Sequence, residues 1–314
     1  MSKLLYLPDS CRSNDSILFN KFGTGRINSK IEFFNDQGER IWEPLHNKTV
    51  IAGAALTLMK LFNLDRSVLE NTPTYDDVMR LDDAATNTDY PAVSISDGNG
   101  SVVGSMPDET QRVIIGFCVG IGGSGLEASD VFDVPYASWI TPDNIIPFRY
   151  PLQSSDSVDE SIYKGKKTIS LSNGQTRCAY YFKEFSNTPN LVQNYVSTIG
   201  TFTDSISAES VYNNSISADK AQSYVELHLK ITNDDCREFF LTHSGLEDAK
   251  INQLSLVSAW TKTISRTKLD AAGNMVTKDY EVLQQIRPFS VVNFPTEILS
   301  KRDKSISIIY TLYS

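Results

Sequence analysis

The sequence predicts a mainly-β protein: a C-terminal antiparallel β-sandwich of jelly-roll type, preceded by a mixed, loop-rich N-terminal region with one clear helix. Three observations predict it. In the C-terminal half, apolar and polar residues alternate with the period of two that half-buried strands require. Turn clusters such as Asn173-Gly174 and Ala271-Ala272-Gly273-Asn274 recur between those runs. Sustained helical periodicity is confined to residues 50–62. The domain organisation that follows is an arm (1–16), a mixed α+β region (17–165) and a β-sandwich (166–314).

Taken in order, the arm is apolar at Leu4, Leu5, Tyr6 and Leu7 and polar beyond them. Residues 31–34, 35–38 and 39–42 read as strand, turn and strand. Residues 50–62, VIAGAALTLMKLF, are strong helix formers, with Ile51, Ala54, Ala55, Leu58 and Phe62 on one face. Residues 63–111 are loop-rich, with a hairpin expected over 92–103 about Asp97-Gly98-Asn99-Gly100. Residues 112–121, RVIIGFCVGI, read as a buried strand, and 122–165 as irregular chain broken by Pro135, Pro142, Pro147 and Pro151. A hairpin is expected over 168–182. Val225, Leu227, Leu229 and Ile231 alternate with Glu226, His228 and Lys230. Leu254, Leu256, Ser258 and Trp260 share one face of a further strand. Residues 280–286 and 289–294 read as two short strands. The last strand, 305–313, either completes a sheet or pairs with a neighbour's edge. Ser205-Ile206-Ser207-Ala208-Glu209 echoes Ser215-Ile216-Ser217-Ala218-Asp219, too short a repeat for a solenoid, and reads as a polar loop.

Composition narrows the function. The 314 residues are 40% apolar and 21% charged, enough for a sizeable core. Net charge is −9, which argues against wrapping nucleic acid. Lys164-Gly165-Lys166-Lys167 and Lys301-Arg302-Asp303-Lys304 read as solvated turns. Cys11, Cys118, Cys178 and Cys236 are widely spaced; Cys118 and Cys178 read as small buried hydrophobes, and all four as free thiols in a reducing cytoplasm. The N-terminus has no apolar stretch of signal-peptide length, and no window approaches the roughly 18 consecutive apolar residues of a membrane span.

Motifs that carry chemistry are sparse. Gly120-Ile121-Gly122-Gly123-Ser124-Gly125 fits G-x-G-x-x-G after a strand, but Pro135 would stop a following helix and no Lys-Ser/Thr follows. It reads as a tight glycine loop. His46, His228 and His243 lack zinc-ligand spacing, and no G-x-S-x-G elbow occurs. Asp82-Asp83, Asp108-Glu109 and Asp234-Asp235 read as surface acids or caps, with Asp234 or Asp235 capping a short helix over 236–242. No catalytic, cofactor-binding or metal-binding residue is nominated, and the chain reads as a non-enzyme. Tyrosines in Tyr180-Tyr181-Phe182 and Tyr310-Thr311-Leu312-Tyr313 would place rings on both strand faces, one in the core and one at an interface.

Several segments resemble structural proteins of tailed bacteriophages. They are Phe19-Asn20-Lys21-Phe22-Gly23-Thr24-Gly25, Ile146-Pro147-Phe148-Arg149, Tyr180-Tyr181-Phe182-Lys183-Glu184-Phe185, Arg287-Pro288-Phe289-Ser290, Val292-Asn293-Phe294-Pro295-Thr296 and Ser307-Ile308-Ile309-Tyr310-Thr311-Leu312-Tyr313. The resemblance implies a virion protein assembled in the host cytoplasm, in many copies as rings or trimers, contacting other virion proteins at the neck, collar, tail or capsid. It implies no catalytic residues, cofactor, membrane or sequence-specific nucleic-acid contact. Leu4, Leu5, Tyr6, Leu7, Tyr310 and Tyr313 are the candidate interface residues, the arm suiting a clasp on an adjacent subunit. The alternatives are a capsid-decorating or tail-fibre-type protein, or a glycan-binding module presenting Trp139 or Trp260; Trp260 is expected in the core.

Overall fold

Strands dominate because the apolar runs are rich in Val, Ile, Tyr and Phe, which fit a pleated, half-buried surface. The computed structural model describes residues 28–49, 74–81, 93–96, 102–106, 113–125, 131–132, 140–151, 158–199, 202–206, 220–244, 249–269, 274–299 and 305–313. The expected arm, the helix over 50–62, Asp82-Asp83, Asp108-Glu109, Trp139 and most of the Ser-rich echo lie outside these residues.

The first half of the chain contributes β1 (Asn28–Phe34), β2 (Lys48–Thr49), α1 (Tyr75–Met79), β3 (Val93–Ser96), β4 (Val102–Met106), β5 (Val113–Gly120) and β6 (Ile145–Ile146). The second contributes β7 (Tyr163–Ser170), β8 (Thr176–Lys183), β9 (Leu191–Ile199), β10 (Phe202–Ile206), β11 (Lys220–Ile231), α2 (Arg237–Ser244), β12 (Lys250–Leu269), β13 (Met275–Ile298) and β14 (Ile306–Tyr313). The protein is mainly β, and all its strand pairs are antiparallel among the described residues.

The chain divides into two compact units, Met1–Asn47 with Phe185–Ile231 and Ser305–Ser314, and Lys48–Glu184 with Thr232–Lys304. Both are discontinuous, each drawing on segments before and after residue 165. Pairing between distant segments overrides sequence order: Ile308 lies opposite both Phe33 and Leu229.

The first unit holds a five-stranded sheet in the order β1-β14-β11-β9-β10. Period-two alternation buries Ile31, Phe33, Leu227, Leu229, Ile308 and Tyr310, while Ser307, His228 and Lys230 on the other face are exposed. The C-terminal strand therefore completes a sheet and lies in its interior. After β1, Asn35 Oδ1 accepts from the N–H groups of Gln37 (3.0 Å) and Glu39 (2.8 Å), and Gly38 takes a φ of 77°, which glycine adopts without strain. The strand expected over 39–42 reduces to isolated bridges, Phe34 to Arg40 and Ile31 to Leu45, with Pro44 unable to donate and Trp42 set edge-on to Phe33 at 4.9 Å.

The second unit holds the order β2-β13-β12-β5-β8-β7, with β6 also against β5. The hairpin expected over 168–182 begins earlier, at Tyr163, so Lys164-Gly165-Lys166-Lys167 is strand and not turn. Lys164 is buried, with Nζ 3.3 Å from Glu184. The expected hairpin over 92–103 appears as β3 and β4, paired from Val93 with Met106. The two short strands expected over 280–286 and 289–294 are one strand, β13. Its irregular residues are absorbed at register shifts: Gln285, at a φ of 53°, lies between the Ser258–Arg287 and Trp260–Gln284 pairs, and Pro295 lies between the Ile251–Glu297 and Gln253–Asn293 pairs.

Among the described residues, β12 has β5 on one side and β13 on the other over residues 253–259. There both faces are closed: Leu254, Ser255, Leu256 and Val257 have no exposure at all. The core behind them gathers Tyr75, Cys118, Tyr181, Phe182, Leu283 and Ile286, each full burial of a large apolar side chain contributing roughly 1.5–3 kcal/mol. From Trp260 to Leu269, β12 pairs with β13 alone among the described residues.

Candidate functional site

Asp235 is the most demanding group in the second unit, because it has no exposure and an isolated buried carboxylate costs several kcal/mol. The turn leading into α2 places it. Asp235 N–H donates to Thr232 O (3.1 Å), Cys236 adopts a φ of 65°, and Cys236 N–H donates to Phe148 O (2.7 Å). The carboxylate is then surrounded. Oδ1 accepts from the Tyr163 hydroxyl at 2.8 Å. Oδ2 accepts from Thr232 N–H at 2.7 Å and Thr232 Oγ1 at 3.0 Å, and Lys183 Nζ lies 2.6 Å away. Lys183 is itself buried, its ammonium 5.2 Å from the ring centre of Tyr163 and 5.9 Å from that of Phe148. Next to it, Arg149 Nη2 pairs with Glu238 at 3.0 Å.

A Lys–Asp–Tyr group has the components of a proton-transfer site. Burial, and then the Asp235 charge, push the Tyr163 hydroxyl well above its ordinary range, so it serves as a fixed donor. Both Asp235 oxygens are engaged within the fold. The arrangement ties β7, β8 and the entrance of α2 together. The surface position expected for Asp234-Asp235 holds only for Asp234, which is exposed; Asp235 faces inward because Thr232 and Lys183 draw it there. The Thr232-x-x-Asp235 spacing, which suits a side-chain-closed turn, is the sequence signal for it.

The glycine loop closes in a similar way. Gly122 N–H donates to Gln253 Oε1 (2.9 Å) and Gly123 N–H to Asn252 Oδ1 (2.7 Å). Asn252 Nδ2 reaches Ser124 Oγ at 2.9 Å, and Ser124 Oγ lies 2.7 Å from Thr296 Oγ1. These N–H groups, which a phosphate would need, hold the loop to β12 and β13. A Cβ at Gly123 would run into the backbone carbonyl of Asn252, which is why the position takes glycine.

Each histidine has its own local setting. His46 Nδ1 sits 2.8 Å from Ser29 O, His243 Nδ1 sits 2.9 Å from Phe239 O, and His228 is exposed on β11. Among the described residues no group of three His, Cys, Asp or Glu is placed to hold a metal, and no helix is long and apolar enough to cross a membrane. Cys118 and Cys236 are buried, Cys178 is half-buried, and all three are free.

Of the candidate interface residues, Leu4, Leu5, Tyr6 and Leu7 lie outside the described residues. Tyr310 is in the core at 1% exposure, since its register opposite Ile31 and Leu227 puts it on the buried face, so it offers no ring to a partner. Tyr313 ends β14 opposite Asn28 and Tyr224, and its side chain is outside the description, as is that of Trp260.

Fold and site together define a β protein, antiparallel throughout its described residues, in which the Asp235 carboxylate and the glycine loop are held by internal partners. No family model, no curated protein and no solved structure matches the chain.

Proposed function

We propose that this chain is an architectural subunit of a tailed-phage particle, placed in the neck or collar at the head–tail joint and working by assembly with copies of itself and with other virion proteins. The observation that carries the reading is the ladder of β12 and β13. It continues for ten residue pairs, from Trp260–Gln284 to Leu269–Met275, past the last pairing of β12 with β5 among the described residues. A two-stranded ladder is marginal in water by itself and gains from being covered. The phage-like segments Arg287-Pro288-Phe289-Ser290 and Val292-Asn293-Phe294-Pro295-Thr296 both lie in β13, on the strand that carries the extension.

The test is immunogold labelling of negatively stained particles from the lysate that produces this chain, with antibody raised against the purified protein. Label at the head–tail joint is expected. Label confined to the head surface or to the distal tail would move the subunit elsewhere in the particle, and unlabelled particles would contradict the reading.

A further inference from the structure

The register of the extended ladder sorts its residues by charge. In an antiparallel pair, directly opposed residues share a face. One face of the ribbon therefore carries Lys262, Arg266, Lys268 and Lys278, with Ile264 opposite Tyr280 between them. None of the ten positions on that face is acidic. The other face carries Glu281 opposite Thr263 and Asp279 opposite Ser265, and no basic residue. This segregation occurs in a chain whose net charge is −9. Arg266 lies directly opposite Lys278, and Lys268 is two residues along from that pair. Like charges directly opposed destabilise a ladder, so the basic face gains most from an anionic cover.

We propose that this cover is the acidic ribbon face of a second copy of the chain. The inference rests on the architectural reading above and names the surface through which the copies join. The charges match along the ribbon. Lys262 is one residue from the level of Glu281, and the Arg266–Lys278 pair is one residue from the level of Asp279. A step of one residue is about 3.4 Å along a strand, within the reach of Lys and Arg. Two ribbons laid in the same direction, basic face on acidic face, thus meet opposite charges without sliding. Ile264 and Tyr280 lie on the basic face between the charged levels, as the apolar centre of such a contact. On the acidic face, Met275 at the tip is 73% exposed and Thr277 is exposed. The contact uses a different face on each copy, so it is heterologous and repeats from copy to copy, closing into a ring where the rotation allows.

The test is a charge-swap cycle on the full chain, read as mass by light scattering, with circular dichroism to confirm that each variant is folded. The wild type is expected at a multiple of 35.0 kDa, falling as salt is raised. Lys262→Glu, Arg266→Glu and Lys278→Glu together make both ribbon faces acidic, and Asp279→Lys with Glu281→Lys makes both basic. Each variant alone is expected at 35.0 kDa. Mixed one to one, they are expected to recover the wild-type mass, because each face then meets its opposite. Assembly that survives in both variants would overturn the ribbon contact while leaving the architectural reading in place. A mixture that stays at the monomer mass would also overturn it. So would a wild type that is monomeric at every concentration, including one that instead binds double-stranded DNA through Arg266 and Lys278.

Discussion

The same two strands, β12 and β13, behave as two different materials along their length. Over residues 253–259, β12 is flanked on both sides and closed on both faces, and its sequence Gln-Leu-Ser-Leu-Val-Ser-Ala carries no charge. Over residues 260–269 the partner on one side is gone among the described residues, and the sequence turns to Thr, Ser, Lys and Arg. The inner stretch is held by burial and by the polar ties of Gln253 and Asn252. The outer stretch has its ladder and its face chemistry. A strand's hydrogen bonds continue across this boundary, but its reason for being stable changes.

Substitutions in the inner region should be costly and those in the outer region cheap. The largest effect is expected from Lys183→Ala, which leaves Asp235 buried without its cation; urea denaturation should show a loss of about 3–5 kcal/mol. An unchanged midpoint would mean that Asp235 is not held as described. Gly123→Ala comes next, since its Cβ meets the Asn252 carbonyl. Overpacking of this kind costs about 1–3 kcal/mol, and Ser at the same position should be no better tolerated.

A third effect lies at high pH. Burial pushes the Cys118 thiol up to about 12, and burial followed by Tyr150 pushes the Tyr181 hydroxyl to about 12. Both groups are raised in the folded state, so the unfolded chain loses its protons first. Their contribution is complete below the unfolded values of 9.0 and 10.0 and is lost as pH climbs to about 12. Melting temperature should fall across that window, and Cys118→Ala should flatten the fall. A profile as steep in the variant would remove Cys118 from the account. The smallest effect is expected in the ribbon: Lys268→Ala should leave monomer stability within about 0.5 kcal/mol.

The strands were legible wherever one face is buried and the other is wet. Leu227, Leu229 and Ile231 against His228 and Lys230 fixed β11, and Ile306, Ile308 and Tyr310 fixed β14. Periodicity gave no partner for either, so it could not show that β14 lies between β1 and β11, nor that Tyr310 faces the core. Pro288 ordinarily interrupts a ladder, so β13 looks like two short strands in the sequence, whereas the neighbouring register shift accommodates the proline. β9 was passed over because Leu191-Val192-Gln193-Asn194-Tyr195 does not alternate. The Asp235 site was missed for a related reason: a two-acid turn looks solvated unless the buried lysine opposite it is known, and Lys183 lies 52 residues away. The ribbon's charge sorting depends on knowing that Arg266 faces Lys278, which only the register supplies.

The most direct measurement is hydrogen exchange of the backbone amides as a function of protein concentration. Residues 253–259 should be strongly protected at every concentration, because they open only with the whole sheet. Residues 262–268 and 276–282 should exchange quickly in dilute solution and become protected as copies associate. Exchange in the ribbon that does not change with concentration, while the mass of the protein rises, would contradict assembly through this ladder.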